Sequence, residues 1–230
     1  MMNWKKFYDE KISTPEEAIK DIHDGDCVVM GHAAAAPKII QHAMAEHCED
    51  YNDVLIFHMT TLGDNECLHP RCYGHFRHVS NFLAANSRDA VNHLAGDFFP
   101  AYFKDVPEMI GDEIPCEIAA FQATPPNEEG YCSLGVSCDY APAAIRRARS
   151  VIIEINDQMP FVYGNTMIHV SQIDRIIPCS YQLPELHAAK PSEVEIAIGK
   201  YCSTLVADGS TLQLGIGAIP NAVLSSLGDK

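Results

Sequence analysis

Short, continuous apolar runs are set between helical patterns along this chain. Cys27 to Met30, Val54 to Met59, Ile118 to Phe121 and Val151 to Ile155 have strand length and no polar alternation, and Ile176-Ile177 is a shorter run. Strands that are apolar on both faces belong to a mostly parallel sheet covered by helices on each side. The fold expected is therefore an open α/β sheet. Helix signals fall between the runs. Thr14-Pro15-Glu16-Glu17 carries the N-cap, first-turn proline and third-position glutamate of a capping box. Asp24-Gly25 turns into the first apolar run, and the small-residue loop Gly31 to Ala36 leads to a helix from Pro37 to near His47. Tyr181 to Leu186 reads as an irregular connection, after which Ser192 caps a helix running towards Thr204.

The end of the chain repeats its beginning. Asp208 to Val223 reads D-G-S-T-L-Q-L-G-I-G-A-I-P-N-A-V, and Asp24 to Pro37 reads D-G-D-C-V-V-M-G-H-A-A-A-A-P. One alignment pairs Asp24 with Asp208, Gly25 with Gly209 and Gly31 with Gly215, and Pro37 meets Pro220 after a slip of one residue. Repeats are sought early because they can change the whole architecture. This one predicts a complete α/β domain over residues 1–186 and the opening βα element of a second over residues 187–230, with the boundary between Pro184 and Pro191. Asp-Gly entry turns also make unrelated strand–loop–helix units look alike. A strand and Gly-rich loop so close to Lys230 suits a truncated protein better than a finished domain.

Composition removes several function classes. With 47% hydrophobic and 20% charged residues, 230 residues have the makings of a globular core. No apolar run reaches membrane-spanning length, and M-M-N-W-K-K-F-Y-D-E has no apolar export core. The nine cysteines are then expected as thiols in a reducing cytoplasm. A formal charge of −15 argues against nucleic acid and against anionic membranes. The one dense basic cluster, Arg146, Arg147 and Arg149, either touches a phosphate or decorates a helix surface.

Several segments invite chemistry. The loop Gly215-Ile216-Gly217-Ala218-Ile219-Pro220 follows an expected strand, Thr211 to Leu214, and precedes a helix expected near Asn221. A Gly-rich loop before a helix offers outward N–H donors to an anion or a carbonyl oxygen. As a dinucleotide fingerprint it fails, because Pro220 stands at the third glycine position. It is otherwise a tight turn. Cys67, His69, Cys72, His75 and His78 have metal-like residue types, yet no C-x-x-C and no second cluster accompanies them. The polar loop Thr124 to Gly135 follows a strand, with Glu128 and Glu129 as a solvated pair or a nucleophile. Asn86-Ser87-Arg88 offers a guanidinium for a carboxylate, or for a neighbouring acid such as Asp89.

Four of these segments, in order, resemble the acetyl-CoA hydrolase/transferase family, and within it the bacterial 4-hydroxybutyrate CoA-transferases. They are Gly74-His75-Phe76-Arg77-His78; Asn86-x-Arg88-x-Ala90-Val91-Asn92; Pro125-Pro126 with Gly130 to Ser137; and Gln213-x-Gly215 to Val223. The resemblance implies an enzyme of two open α/β domains of the CoA-transferase type. Its nucleophile is a glutamate expected after Lys230, so no residue of this chain attacks the substrate and the fragment alone is expected to be inactive. It places the Ile216 and Gly217 N–H groups as oxyanion support, with Gln213, Gly215, Ile216, Gly217, Ala218 and Ile219 against coenzyme A. Asn86, Arg88, Pro126, Gly130 and Tyr131 would shape the acid pocket. It further implies no metal, no tightly bound cofactor, an acyl-CoA and a carboxylic acid such as 4-hydroxybutyrate as substrates, and a homodimer. The alternatives are an acetyl-CoA hydrolase, a succinyl- or propionyl-CoA:acetate CoA-transferase, a sugar-phosphate isomerase, and a stand-alone binding module.

Overall fold

The computed structural model describes residues 4–60, 62–186, 190–228 and 230. Its helices are α1 (Trp4–Lys11), α2 (Pro15–Ala18), α3 (Lys38–Glu46), α4 (Ala85–Asn92), α5 (Val106–Met109), α6 (Ala141–Arg147), α7 (Glu193–Ser203) and α8 (Ala218–Ser225). Its strands are β1 (Cys27–Met30), β2 (Val54–Phe57), β3 (Phe76–Ser80), β4 (Gly96–Phe98), β5 (Ile118–Ala123), β6 (Tyr131–Ser133), β7 (Ser150–Asn156), β8 (Met167–His169) and β9 (Arg175–Cys179). Seven strands form one sheet in the order β4-β3-β2-β1-β5-β7-β9, parallel at every pairing. Antiparallel β6 and β8 make a separate two-stranded sheet. The open, parallel α/β sheet expected from the apolar runs is the one observed.

Those runs are apolar because both faces are covered. Val28 and Val29 are adjacent, point to opposite faces, and are both fully buried. On one side Val29, Phe57 and Phe121 share a core with Tyr140, Ala144 and Ile145 at helix α6. On the other, Val28, Met30 and Ile56 share one with Ile40 and Met44 of helix α3. Each such aliphatic side chain contributes about 1.5–3 kcal/mol by leaving water. Thr14 and Ser192 both form the reciprocal capping boxes their sequences imply. At the amino edge of the sheet, ion pairs fix the chain: Arg149 Nη2 lies 2.7 Å from Asp26 Oδ2, and Arg175 Nη2 lies 2.8 Å from Asp21 Oδ1. Arg147 stands 3.5 Å from Asp112. Two of the three clustered arginines thus have protein partners.

The structure divides into two units, residues 1–184 and 185–230. In the second, α7 packs on α8, and Gly199 permits the approach: a Cβ there would lie 2.5 Å from the Ala222 carbonyl oxygen. Two expectations need correction. Residues 211–214 form no strand; they run exposed, because among the described residues no neighbouring strand supplies a ladder. The following helix starts at Ala218 rather than near Asn221, with Pro220 in its first turn, where a missing N–H costs little. The entry turns of the repeat do agree, with Gly25 and Gly209 at φ 79° and 73°.

Candidate active site at the carboxyl edge of the sheet

Open α/β sheets bind ligands beyond the carboxyl ends of their strands, where the strand order reverses. Here that point is β1, flanked by β2 on one side and β5 on the other. The chain leaving β1 makes a tight loop of small residues before α3. Gly31 has no room for a side chain: a Cβ would sit 2.6 Å from the Ala35 carbonyl oxygen and 3.2 Å from Phe121 Cδ1. Ala33 adopts left-handed backbone at φ 52°, which costs an L-residue about 1–2 kcal/mol. Contacts from both sides hold it there. The Ala33 N–H donates to Thr60 O at 3.0 Å, and Gln122 Nε2 of β5 donates to Ala36 O at 2.6 Å.

His32 lies inside this clamp. Its Nε2 is 2.5 Å from Asp139 Oδ2, and its ring stacks on Tyr140 with centroids 5.4 Å apart and planes at 22°. Tyr140 is fully buried, and its hydroxyl donates to Met30 O at 2.6 Å. Asp139 Oδ1 accepts the Tyr140 N–H at 2.7 Å. The imidazole is thus held by a carboxylate and by an aromatic face that is itself anchored to β1. A carboxylate at Nε2 places a proton on that nitrogen.

Glu154 of β7 is buried beside the same edge. Its Oε1 accepts the Ile40 N–H at 2.8 Å, in the first turn of α3, and its Oε2 accepts the Tyr181 hydroxyl. Burial pushes its pKa from 4.5 up to about 7, against the pull of the Tyr181 hydroxyl and the α3 N–H groups. Next to it, Asn156 Nδ2 donates to Gln122 Oε1 at 3.1 Å and to Tyr181 O at 3.0 Å. This network ties β5, β7 and α3 together below the loop that carries His32.

Two further histidines close the β2 side. His58 and His78 are buried, with ring centroids 5.7 Å apart and planes at 73°. Burial lowers the pKa of both, His78 to about 4, so both are neutral at physiological pH. Asn65 Oδ1 accepts the Cys67 N–H at 3.1 Å, which turns Asn65 Nδ2 towards His58 Nδ1 at 3.3 Å. Among the described residues His32 Nδ1, His58 Nε2 and both nitrogens of His78 are buried without a hydrogen-bond partner.

Comparison with known proteins now decides the family. Residues 1–180 match the model for the acetyl-CoA hydrolase/transferase N-terminal domain. The chain belongs to the acetyl-CoA hydrolase/transferase family. It is 41% identical over 230 residues to a 4-hydroxybutyrate coenzyme A transferase of Clostridium kluyveri, covering 100% of this chain and 54% of that protein. It is 35% identical to a succinyl-CoA:cyclohexane-1-carboxylate CoA transferase of Geobacter metallireducens, covering 98% of this chain and 51% of the relative. The crystal structure of a 4-hydroxybutyrate CoA-transferase from Porphyromonas gingivalis superposes with a TM-score of 0.83 at 37% identity, over 98% of this chain and 53% of that one. The chain spans about half the length of the curated relatives it matches.

Within this member of the acetyl-CoA hydrolase/transferase family, the residues singled out in the sequence do not form one cluster. Asn86, on α4, donates to Gly63 O at 3.0 Å and borders a cavity of about 530 Å³ with Asp64, Asn65, His69, Asp89 and His93. Arg88 is exposed on the same helix. Pro126, Gly130 and Tyr131 follow β5, three strand spacings from β3, or about 14 Å. Gly130 is buried, at φ 88°, and a Cβ would lie 2.7 Å from Trp4 Cγ and 2.9 Å from His169 Nε2, so packing alone demands glycine there.

Gln213, Gly215, Ile216, Gly217, Ala218 and Ile219 belong to the second unit. Gly217 takes φ 140° and caps α8, Ile216 is 96% exposed, and no described residue accepts the Ile216 or Gly217 N–H. Four of the five metal-like residues are engaged separately: His69 with Asp64, His75 with Tyr51 O, and the Cys67 and Cys72 thiols with Gln41 O and Glu66 O. Among the described residues only His42, Glu46 and Glu66 bring ligand atoms within 4.8 Å of one another, and Arg71 already pairs with both carboxylates.

His32, Asp139, Tyr140 and Glu154 were not singled out in the sequence. One signal was there: Glu154 interrupts the otherwise apolar run Val151 to Ile155.

Proposed function

We propose that this chain is the amino-terminal part of a CoA-transferase that moves coenzyme A between an acyl-CoA, such as acetyl-CoA, and a carboxylic acid, such as 4-hydroxybutyrate. The nucleophile is a glutamate carboxylate encoded after Lys230. Its oxygen attacks the thioester carbonyl, the C–S bond breaks, and CoA leaves as thiolate from an acyl-glutamyl anhydride. The thiolate then attacks the glutamyl carbonyl, releasing the first acid and leaving a glutamyl-CoA thioester. The acceptor carboxylate reverses both steps. Each tetrahedral intermediate carries negative charge, which the Ile216 and Gly217 N–H groups stabilise. Gln213, Gly215, Ala218 and Ile219 complete the coenzyme's contact, and Asn86, Arg88, Pro126 and Tyr131 contribute to the surface offered to the acid. The enzyme needs no tightly bound cofactor. It works as a homodimer in the cytoplasm, a compartment suited to nine cysteines that are all free thiols.

The observation that supports this reading most is continuity: the likeness to a 4-hydroxybutyrate transferase runs through all 230 residues, the Gly215–Ile219 loop included. The test is CoA transfer from acetyl-CoA to 4-hydroxybutyrate by the full-length protein, with light scattering for the dimer. Release of free CoA without formation of 4-hydroxybutyryl-CoA would make it a hydrolase instead.

A further inference from the structure

We propose that Cys48 and Cys72 are a redox-sensitive pair that closes into a disulfide when the protein meets a peroxide. The reaction is independent of the CoA-transfer reading. Between residues 46–51, at the end of α3, and residues 71–76, contacts run in register like rungs. Arg71 Nη2 donates to Glu46 Oε1 at 2.6 Å, the Cys48 thiol donates to Arg71 O at 3.7 Å, and His75 Nδ1 donates to Tyr51 O at 2.8 Å. The Tyr51 and Phe76 rings, with centroids 5.6 Å apart, extend the seam. Its middle rung holds the two cysteines. Cys48 opens one single-turn 3-10 helix, Cys48–Asp50, and Cys72 closes another, Pro70–Cys72. The carbonyl that the Cys48 sulfur reaches belongs to the peptide bond leading into Cys72, and the two thiols lie within hydrogen-bond reach of each other.

Disulfides form only where two backbones already stand close and stay there, and rungs on both sides keep this pair from drifting apart. Cys67, the third thiol nearby, is directed elsewhere, its Sγ donating to Gln41 O at 3.3 Å. Cys72 has no exposed surface and Cys48 keeps 4%, so Cys48 meets the oxidant first. Its sulfur attacks a peroxide oxygen: the S–O bond forms, the O–O bond breaks, and the thiol proton leaves with the departing hydroxide as water. The Cys72 sulfur then attacks the sulfenic sulfur of Cys48. The S–S bond forms, the S–O bond breaks, and the Cys72 proton leaves with the hydroxyl as a second water. Each sulfur gives up one electron and the peroxide takes two. Burial pushes the Cys72 thiol up to about 12, which suits a group that stays protonated until a sulfenic acid forms beside it. The closed disulfide fastens the end of α3 to the stretch from His69 to Tyr73 that walls the cavity beside α4.

The experiment treats the folded full-length protein with hydrogen peroxide, blocks the remaining thiols by alkylation, and maps peptides by mass spectrometry without reduction. Trypsin together with a glutamate-specific protease puts Cys48, Cys67 and Cys72 on three separate peptides. The expected product joins the Cys48 peptide to the Cys72 peptide, lighter than the free pair by two hydrogens, and dithiothreitol reverses it. The two thiols should disappear together. Cys48→Ser and Cys72→Ser should each abolish the link, and Cys67→Ser should leave it. The parent's own map decides the matter where a variant fails to fold. Cys48 joined to Cys67, oxidation of Cys48 that stops at the sulfenic or sulfinic acid, or both thiols still free after the exposed ones have reacted, overturns the proposal.

Discussion

Glu154→Gln should reveal how strongly the sheet's buried carboxylate opposes folding. The folded pKa is about 7 against an ordinary 4.5, with burial as the largest cause. Between those values the folded chain keeps a proton that the unfolded chain has lost, so stability falls as pH rises through that window and stays low above it. At about 1.4 kcal/mol per pH unit, the gap is worth on the order of 3 kcal/mol. Glutamine reproduces the protonated acid: Oε1 still accepts the Ile40 N–H, and the amide donates to the Tyr181 oxygen. Parent and variant should therefore be about equally stable near pH 5, and the variant should lead by about 3 kcal/mol near pH 8, or roughly 6–12 °C in thermal midpoint. Urea unfolding followed by far-ultraviolet circular dichroism at both pH values measures this. His58 and His78 contribute the opposite slope: their lowered pKa values mean that stability is lost as pH falls below 6.5, towards about 4 for His78. That slope is common to both proteins and cancels in the difference. A variant whose margin over the parent does not change with pH would refute the reasoning.

Three further outcomes follow. The 230-residue chain by itself should transfer no CoA between acetyl-CoA and 4-hydroxybutyrate; turnover above a heat-killed control would mean the nucleophile lies within it. In the full-length enzyme Gly217→Ala should lower turnover about 100–1000-fold, since oxyanion donors contribute on that scale, with a midpoint loss limited to the backbone strain of a Cβ at φ 140°, about 1–3 kcal/mol, because the added atom meets only Pro220 Cδ at 3.8 Å. A collapsed midpoint would make the loop a structural turn. Gly130→Ala should behave in the opposite way, losing about 1–3 kcal/mol of stability through overpacking against Trp4 with KM unmoved; a raised KM would place Gly130 at the substrate.

The core strands were legible because their chemistry is local. Val54 to Met59 and Val151 to Ile155 are apolar but for His58 and Glu154, and β2 and β7 lie on them with ends displaced by one or two residues. Strand β3 was not, because Phe76-Arg77-His78-Val79-Ser80 mixes charge and histidine into a strand that has only one apolar neighbour side to satisfy: Phe76 is buried while Arg77 reaches out to Asp97 at 2.5 Å. The expected strand at 211–214 fails for a related reason. Its pattern is right, but a ladder is a property of two strands, and among the described residues the second is missing.

The switch-point residues escape a linear reading for a stronger reason. His32 and Asp139 are 107 positions apart, and Ile40 and Glu154 are 114 apart. No spacing rule spans such distances; the parallel sheet does, by setting β1 beside β5 and β5 beside β7. Once the strand order is known, the carboxyl ends of those strands must meet, and whatever polar residues stand there meet with them. A polar residue buried at the end of a parallel strand therefore carries more information than a conspicuous cluster such as Cys67 to His75, whose members bond to different parts of the chain. Glu154 is the case in point. A carboxylate within an apolar strand has to be paired, protonated or in use, and here it accepts two hydrogen bonds and still has its pKa lifted to about 7. A position that strained persists only if the network it holds, from Tyr181 and Asn156 through Gln122 to the loop bearing His32, matters more than the stability it withholds.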